Sequence, residues 1–354
     1  MRTTILPFLL PIVVLGAEPD YSLVDGVIDG APYQIAIPAE RSGNLLIHAH
    51  GYRREGTLHD AILDLEDTGY KELLERGWVV AMSGYRRNGF IVEDAIEDLL
   101  SLRALLVTEY GPFKQVLLEG QSMGGLIVTK LAERGSDQFS AALAIGSALR
   151  IKEHGRIVEL SHKPEIPILF LSNRSEVTGP QTYVKEAAGS HVPPVFWRVD
   201  RDGHVNVNKH ERLIAIGALV GWFSTGALES ERELTVRIAA EDADVELHAN
   251  HATGSVVDIT HNYGNVFIDL NQKHFEALGI NTGEDYRVTI GEVSVTVQYG
   301  STFSDVPTGD WISFPTAEGD TIIAVNQGSA FDHLKPEIGD PVRVEAIPGE
   351  PEVE

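Results

Sequence analysis

The sequence predicts an α/β protein: a doubly wound, mainly parallel sheet covered on both faces, followed by a second, C-terminal β-rich domain. Three observations predict it. Short apolar runs alternate with longer helical patterns from Asn44 to Thr225. Those runs are apolar at consecutive positions, as expected of strands buried on both faces. Beyond Glu233 the pattern changes to short alternating strands separated by turns.

Each element follows from its local pattern. Tyr21 to Pro38 alternates and reads as opening antiparallel strands. Asn44 to Ala49 is a buried strand running into the turn His50-Gly51-Tyr52, and a helical segment is expected from Leu58 to Arg76, stopped by Gly77. Trp78 to Met82 is the next strand. Val92 to Tyr110 carries apolar residues at Ile96, Leu99, Leu100, Leu102, Leu105 and Leu106, with Gly111-Pro112 as its stop, and reads as an amphipathic helix. Val116 to Leu118, Ala141 to Ile145, Ile166 to Leu171 and Val195 to Val199 complete the strands, and Lys209 to Thr225 is a closing helix. In the second domain, strands are expected at 255–260, 265–270, 286–290, 293–297, 320–325 and 341–346, with one short helix at 272–278. The expected boundaries are a leader at 1–17, the α/β domain at 18–227, the β-rich domain at 233–347 and an acidic tail at 348–354.

One stretch carries chemistry. In Gly120-Gln121-Ser122-Met123-Gly124 a strand turns sharply into a helix with serine at the apex. That turn lifts a hydroxyl clear of the sheet, and glycines two positions either side leave room for neighbouring backbone. The bare motif is common by chance; the flanking strand and helix make it a nucleophile elbow. A nucleophilic serine needs a base, a group to orient the base, and oxyanion donors, all in loops at the strands' C-terminal ends. His204 follows the last strand in Asp200-Arg201-Asp202-Gly203-His204 and is the expected general base. Glu176 is the carboxylate in the loop after the preceding strand and would orient it. The alternative is that Glu176 pairs with Arg174 while Asp200 or Asp202 orients the histidine. The backbone N–H groups of Met123 and Tyr52 are the expected oxyanion hole.

Other clusters carry less. His48 and His50, two apart on a strand, would share a face. No third ligand is near, so a metal pair is not expected there, nor at His248 and His251. Gly51-Tyr52-Arg53-Arg54-Glu55-Gly56 and Gly84-Tyr85-Arg86-Arg87-Asn88-Gly89 nearly repeat, and both follow strands. Arg53, Arg86, Arg87 and Tyr85 are therefore candidate substrate-binding residues for an anionic or aromatic acyl group. The plainer alternative pairs these arginines with Glu93, Asp94 or Asp98.

Composition narrows the classes. Against 28 Lys and Arg stand 52 Asp and Glu, for a net charge of −24, which disfavours nucleic acid or an anionic membrane surface as partner. There is no cysteine, hence no disulfide and no thiolate metal site. Met1-Arg2, an apolar run from Ile5 to Leu15 and Gly16-Ala17 resemble a secretory leader, which implies a secreted or periplasmic protein. The run is short and broken by Pro7 and Pro11, so no stable membrane span is expected.

His50-Gly51-Tyr52, the Ser122 elbow, Glu176 and Gly203-His204 together make residues 30–225 resemble an α/β-hydrolase of the esterase and prolyl-oligopeptidase-like branch, feruloyl-esterase-like enzymes included. The family's usual acid is Asp, and Glu176 is a departure. The family often inserts a cap between nucleophile and acid; only 54 positions separate Ser122 from Glu176, so an open site is expected. The segments 261–265, 305–310, 326–330 and 338–342 make residues 250–346 resemble the C-terminal β-barrel domain of S-adenosylmethionine hydroxide adenosyltransferases. There an N-terminal domain from a neighbouring subunit completes an adenosine pocket. That domain is missing here, so an assembly or substrate-covering module is implied instead, and the family's trimers imply a homo-oligomer. The expectation is a cofactor-free serine carboxylic-ester hydrolase acting on a small-molecule or polymeric ester. The alternatives are a serine peptidase of the same fold, or a non-catalytic adenosine-binding or assembly module.

Overall fold

The computed structural model describes residues 20–65, 68–135, 137–238 and 245–347. The expected leader and the acidic tail lie outside the described residues.

Among the described residues, eleven strands and five α-helices precede residue 239. The strands are β1 (Tyr21–Ile28), β2 (Ala31–Pro38), β3 (Asn44–Ala49), β4 (Val79–Ser83), β5 (Gln115–Gln121), β6 (Ala141–Ile145), the small hairpin β7 (Lys152–Glu153) and β8 (Arg156–Ile157), β9 (Ile168–Asn173), β10 (Val195–Val199) and β11 (Glu231–Glu233). The helices are α1 (Tyr70–Glu75), α2 (Val92–Tyr110), α3 (Met123–Ala132), α4 (Thr178–Glu186) and α5 (Lys209–Thr225). The main sheet has the order β1-β2-β4-β3-β5-β6-β9-β10-β11. β1, β2 and β4 pair antiparallel, and the pairings from β4 through β3 to β11 are parallel.

The apolar runs explain this layering. Each central strand is buried on both faces, so alternate side chains enter two separate cores. Leu45, Ile47 and Leu118 pack with α2 and α3 on one face. Leu46, Leu117 and Leu143 pack with α1 and α5 on the other. The order 1-2-4-3-5-6, then three further strands, with helices on both faces and a serine elbow after β5, is the α/β-hydrolase fold. It places the loops after β3, β5, β9 and β10 at one end of the sheet.

Two expectations for this region need correction. The helix expected from Leu58 to Arg76 is only the single turn-and-a-half of α1, which begins after Gly69 at φ 78°. The described chain ahead of it, 58–65, is irregular and tied down by side-chain bonds: Arg53 donates to the Asp60 carbonyl at 2.8 Å, and Leu63 N–H donates to the Gln34 amide oxygen at 2.8 Å. The sheet also continues past the closing helix, because β11 pairs with β10 and Leu234 is buried in the α5-side core.

The second domain contains β12 (Glu246–Leu247), β13 (His251–Thr260), β14 (Asn265–Ile268), α6 (Gln272–Ala277), β15 (Asp285–Ile290), β16 (Val293–Tyr299), β17 (Trp311–Pro315), β18 (Thr321–Val325), α7 (Ala330–Leu334) and β19 (Pro341–Ala346). Strands run β13-β14-β18-β17-β16-β15-β19, and β19 pairs back onto β13, closing a seven-stranded barrel. Val256, Phe275, Tyr286 and Val344 are among the residues that fill it. β17 is a strand the sequence pattern did not reveal, because it is five residues long and ends in Pro315.

Candidate active site

The elbow is built by steric necessity. Ser122 sits at φ 54°, ψ −114°, a conformation an L-residue adopts only under constraint. Its N–H donates to the Ile145 carbonyl at 3.0 Å, and its own carbonyl accepts from Leu126 and Ala148 at 3.3 and 3.1 Å. A Cβ at Gly120 would stand 2.1 Å from the Gly124 carbonyl oxygen, and one at Gly124 would stand 1.9 Å from the Ala49 carbonyl oxygen. Both contacts are with backbone, so no side-chain adjustment could relieve them.

The expected partners converge on Ser122. His204 Nε2 lies 2.7 Å from Ser122 Oγ, and His204 Nδ1 lies 2.6 Å from Glu176 Oε2. The other Glu176 oxygen accepts from Val205 N–H at 3.2 Å and Asn173 N–H at 3.4 Å. Of the three candidate acids, Glu176 is the one that contacts the histidine: Arg174 is taken up by Asp202 at 2.9 Å and Asp200 at 3.2 Å. The loops are laced together. Asn173 donates to the Asn206 carbonyl at 2.8 Å and accepts from Asn206 N–H at 2.8 Å, and Ser175 Oγ donates to the Gly203 carbonyl at 2.8 Å. Val205 is held at φ 56°, strained for a β-branched residue.

The loop after β3 passes beside the serine. A Cβ on Gly51 would meet Ser122 Cβ at 3.3 Å, and Tyr52, the next residue, lines the same cavity as Ser122. Met123 is the first residue of α3, where a backbone N–H has no partner within the helix. His50 behind this loop is buried. Burial first, and then the Arg53 charge, push it well below the usual histidine range, so it is neutral and pins Gly51 through a 2.6 Å contact to its carbonyl.

His50 and His48 do not share a face, because β3 ends at Ala49 and alternation ends with it. His50 stacks on Tyr85 at 4.0 Å, whereas His48 Nδ1 meets Tyr70 Oη at 2.9 Å. No group of metal-ligating side chains occurs among the described residues. His48 and Tyr70 belong to a buried network that sequence reasoning missed. Glu119, three residues before Ser122 and fully buried, contacts Arg212 and Tyr70. Burial disfavours its charge, but the Arg212 guanidinium, His48 and Tyr70 outweigh that and hold it at about 2. With its amide oxygen turned toward Arg212, Gln121 accepts from both guanidinium nitrogens at 2.8 and 2.9 Å. The signal was present as Glu119 in an apolar strand, where a carboxylate must have a partner.

The near-repeat separates in space. Arg86 donates to Asp98 at 2.7 Å and Arg87 to Asp94 at 2.8 Å, both on α2 and away from the serine. Tyr85 is buried, with its hydroxyl 3.2 Å from the His50 carbonyl. Arg86 and Arg87 thus follow the plainer alternative of pairing with carboxylates, and Tyr85 is taken into the core. Arg53 alone of the four candidates lines the cavity at Ser122. It is 3% exposed and its guanidinium lies 5.7 Å from the Tyr263 ring of the barrel.

The expected open site has a second wall that the sequence did not reveal. The barrel stands beside Ser122 and His204, and the two domains together line a half-open cavity of about 950 Å³. Asn206 donates to the Pro315 carbonyl at 3.1 Å, and Arg54 meets Asp332 at 3.4 Å. That wall comes from the C-terminal domain, not from an insertion between Ser122 and Glu176.

Residues 254–343 match the family model of the SAM hydroxide adenosyltransferase C-terminal domain. No curated protein matches the chain in sequence. Among solved structures, an uncharacterized conserved protein from Thermotoga maritima is similar at 23% identity and TM-score 0.27, over 33% of this chain and 42% of that one. A Pyrococcus furiosus esterase is similar at 17% identity and TM-score 0.44, over 59% of this chain and 92% of that one. Dipeptidyl peptidase 4 of Porphyromonas gingivalis is similar at 12% identity and TM-score 0.43, over 58% of this chain and 35% of that one. The chain thus spans less than half of the Thermotoga and Porphyromonas proteins.

Proposed function

We propose that this chain, an α/β-hydrolase fold joined to a barrel of the SAM hydroxide adenosyltransferase C-terminal type, is a serine hydrolase of small carboxylic esters. The observation that carries the reading is the continuous relay from Ser122 Oγ through His204 to Glu176, with contacts of 2.7 and 2.6 Å. Such a relay makes a serine hydroxyl nucleophilic at neutral pH. Ser122 Oγ attacks the ester carbonyl carbon as its proton passes to His204 Nε2. The Met123 and Tyr52 N–H groups receive the developing oxyanion. Collapse expels the alcohol, which takes the proton from Nε2. Water then attacks the acyl-enzyme by the same route, returning free acid and free Ser122. Glu176 keeps the Nδ1 proton in place and supports the imidazolium. No cofactor has a step in this sequence.

A small-molecule ester is the favoured substrate, because Ser122 and His204 line a cavity of about 950 Å³ walled by both domains, the size of a small-ligand pocket. The test is hydrolysis of a panel of short methyl, ethyl and p-nitrophenyl esters by wild type and Ser122→Ala. Turnover lost in the variant supports the proposal. Equal turnover in both, or none in a folded wild type, refutes it.

A further inference from the structure

The barrel does more than stand beside the serine. On its outer surface, separate from the core that fills its interior, Phe303 and Phe314 pack edge to face at 5.0 Å and Phe267 packs beside them. Across the cavity, Tyr52 and Phe90 of the hydrolase domain stack at 4.4 Å. All five rings line the cavity that holds Ser122 and His204. Phe90 is 43% exposed, a costly position for a ring that serves only the fold. The cations of the same wall are already committed: Arg53 to Asp60, Arg54 to Asp332 and Arg212 to Glu119. Each of these three charges already faces a carboxylate, and the unpartnered Nε atoms of Arg53 and Arg212 are buried, whereas a flat uncharged ring finds aromatic faces and edges on two sides.

We propose that the barrel is the specificity wall of the hydrolase. Its Phe267–Phe303–Phe314 face and the Tyr52–Phe90 pair hold a planar, uncharged aromatic group of the ester while Ser122 attacks the carbonyl. This rests on the serine-hydrolase reading. It assigns to the C-terminal domain a direct part in substrate recognition, and to Phe303 and Phe267 the role of specificity-determining residues.

The experiment uses the full chain and the variants Phe303→Leu and Phe267→Leu, which keep apolar volume but remove the ring. Both side chains are only partly buried, and thermal unfolding checks that the variants fold. Two substrate pairs are compared by kcat/KM: methyl cinnamate against methyl butyrate, and phenethyl acetate against ethyl acetate. In wild type the aromatic member of at least one pair is preferred. In the variants that preference falls about tenfold, the scale of one lost aromatic contact. A preference that survives loss of either ring overturns the proposal, as does a wild type without any preference. A binding arm separates this failure from that of the hydrolase reading: methyl cinnamate and phenethyl acetate are titrated calorimetrically into Ser122→Ala, with and without Phe303→Leu. Binding that weakens with Phe303→Leu, without turnover in wild type, refutes the hydrolase and keeps the aromatic wall. Neither binding nor turnover refutes both.

Discussion

Replacing Glu119 by Gln tests whether the charge network beneath the elbow holds the sheet together. Glu119 and Arg212 are both buried, so Gln leaves the guanidinium without its counter-charge. The Glu119 carboxyl titrates at about 2, against an ordinary value of 4.5. A displacement of that size corresponds to roughly 3 kcal/mol of folding free energy at neutral pH. Because the folded value is lowered, this stability is complete above about pH 4.5 and is lost as pH falls toward about 2. Glu119→Gln should therefore cost roughly 3 kcal/mol at pH 7 and only about 1 kcal/mol at pH 3, where the wild-type carboxyl has given up much of its advantage. The assay is urea unfolding at both pH values, followed by the fluorescence of Trp78 and Trp197, which share a core with Tyr70. A difference between variant and wild type that is the same at both pH values would refute the reasoning, because the carboxylate would then contribute nothing through its charge.

Two further outcomes follow from the site. Glu176→Gln should lower kcat for any ester by about 10²- to 10⁴-fold, since it removes the charge that holds the His204 tautomer, while Asp200→Asn should change it less than about threefold; steady-state rates at pH 8 check both, and the reverse order would move the acid to Asp200. Arg87→Ala should shift stability by less than about 1 kcal/mol and leave KM for neutral and acidic esters in the same ratio, because Arg87 is spent on the exposed face of α2.

Much of this organisation is legible in the sequence, for a physical reason. α2, β6, β10 and α5 have the residue ranges that their apolar periodicity and stops dictate. Ser122, Glu176 and His204 were identifiable because each must occupy a strand's C-terminal loop, and loops follow strands in order. What sequence could not supply was distance across the chain. Residues 58–76 read as helical in isolation, yet α1 covers only Tyr70–Glu75, and Arg53 and Gln34 tie the chain down at Asp60 and Leu63. Arg86 and Arg87 follow a strand, as Arg53 does, yet α2 presents Asp94 and Asp98 to them first. The barrel wall beside Ser122 is the clearest case. It depends on where a barrel more than 100 residues downstream comes to rest, visible only as contacts such as Asn206 with Pro315.

The central claim is that Ser122 is an activated nucleophile, and covalent trapping tests it most directly. The full chain would be treated with a fluorophosphonate and the adduct located by peptide mass spectrometry. The account predicts stoichiometric phosphonylation of Ser122, lost in Ser122→Ala and slowed by at least about 100-fold in His204→Ala. An unlabelled Ser122 in the folded protein, or labelling that proceeds equally without His204, would contradict it.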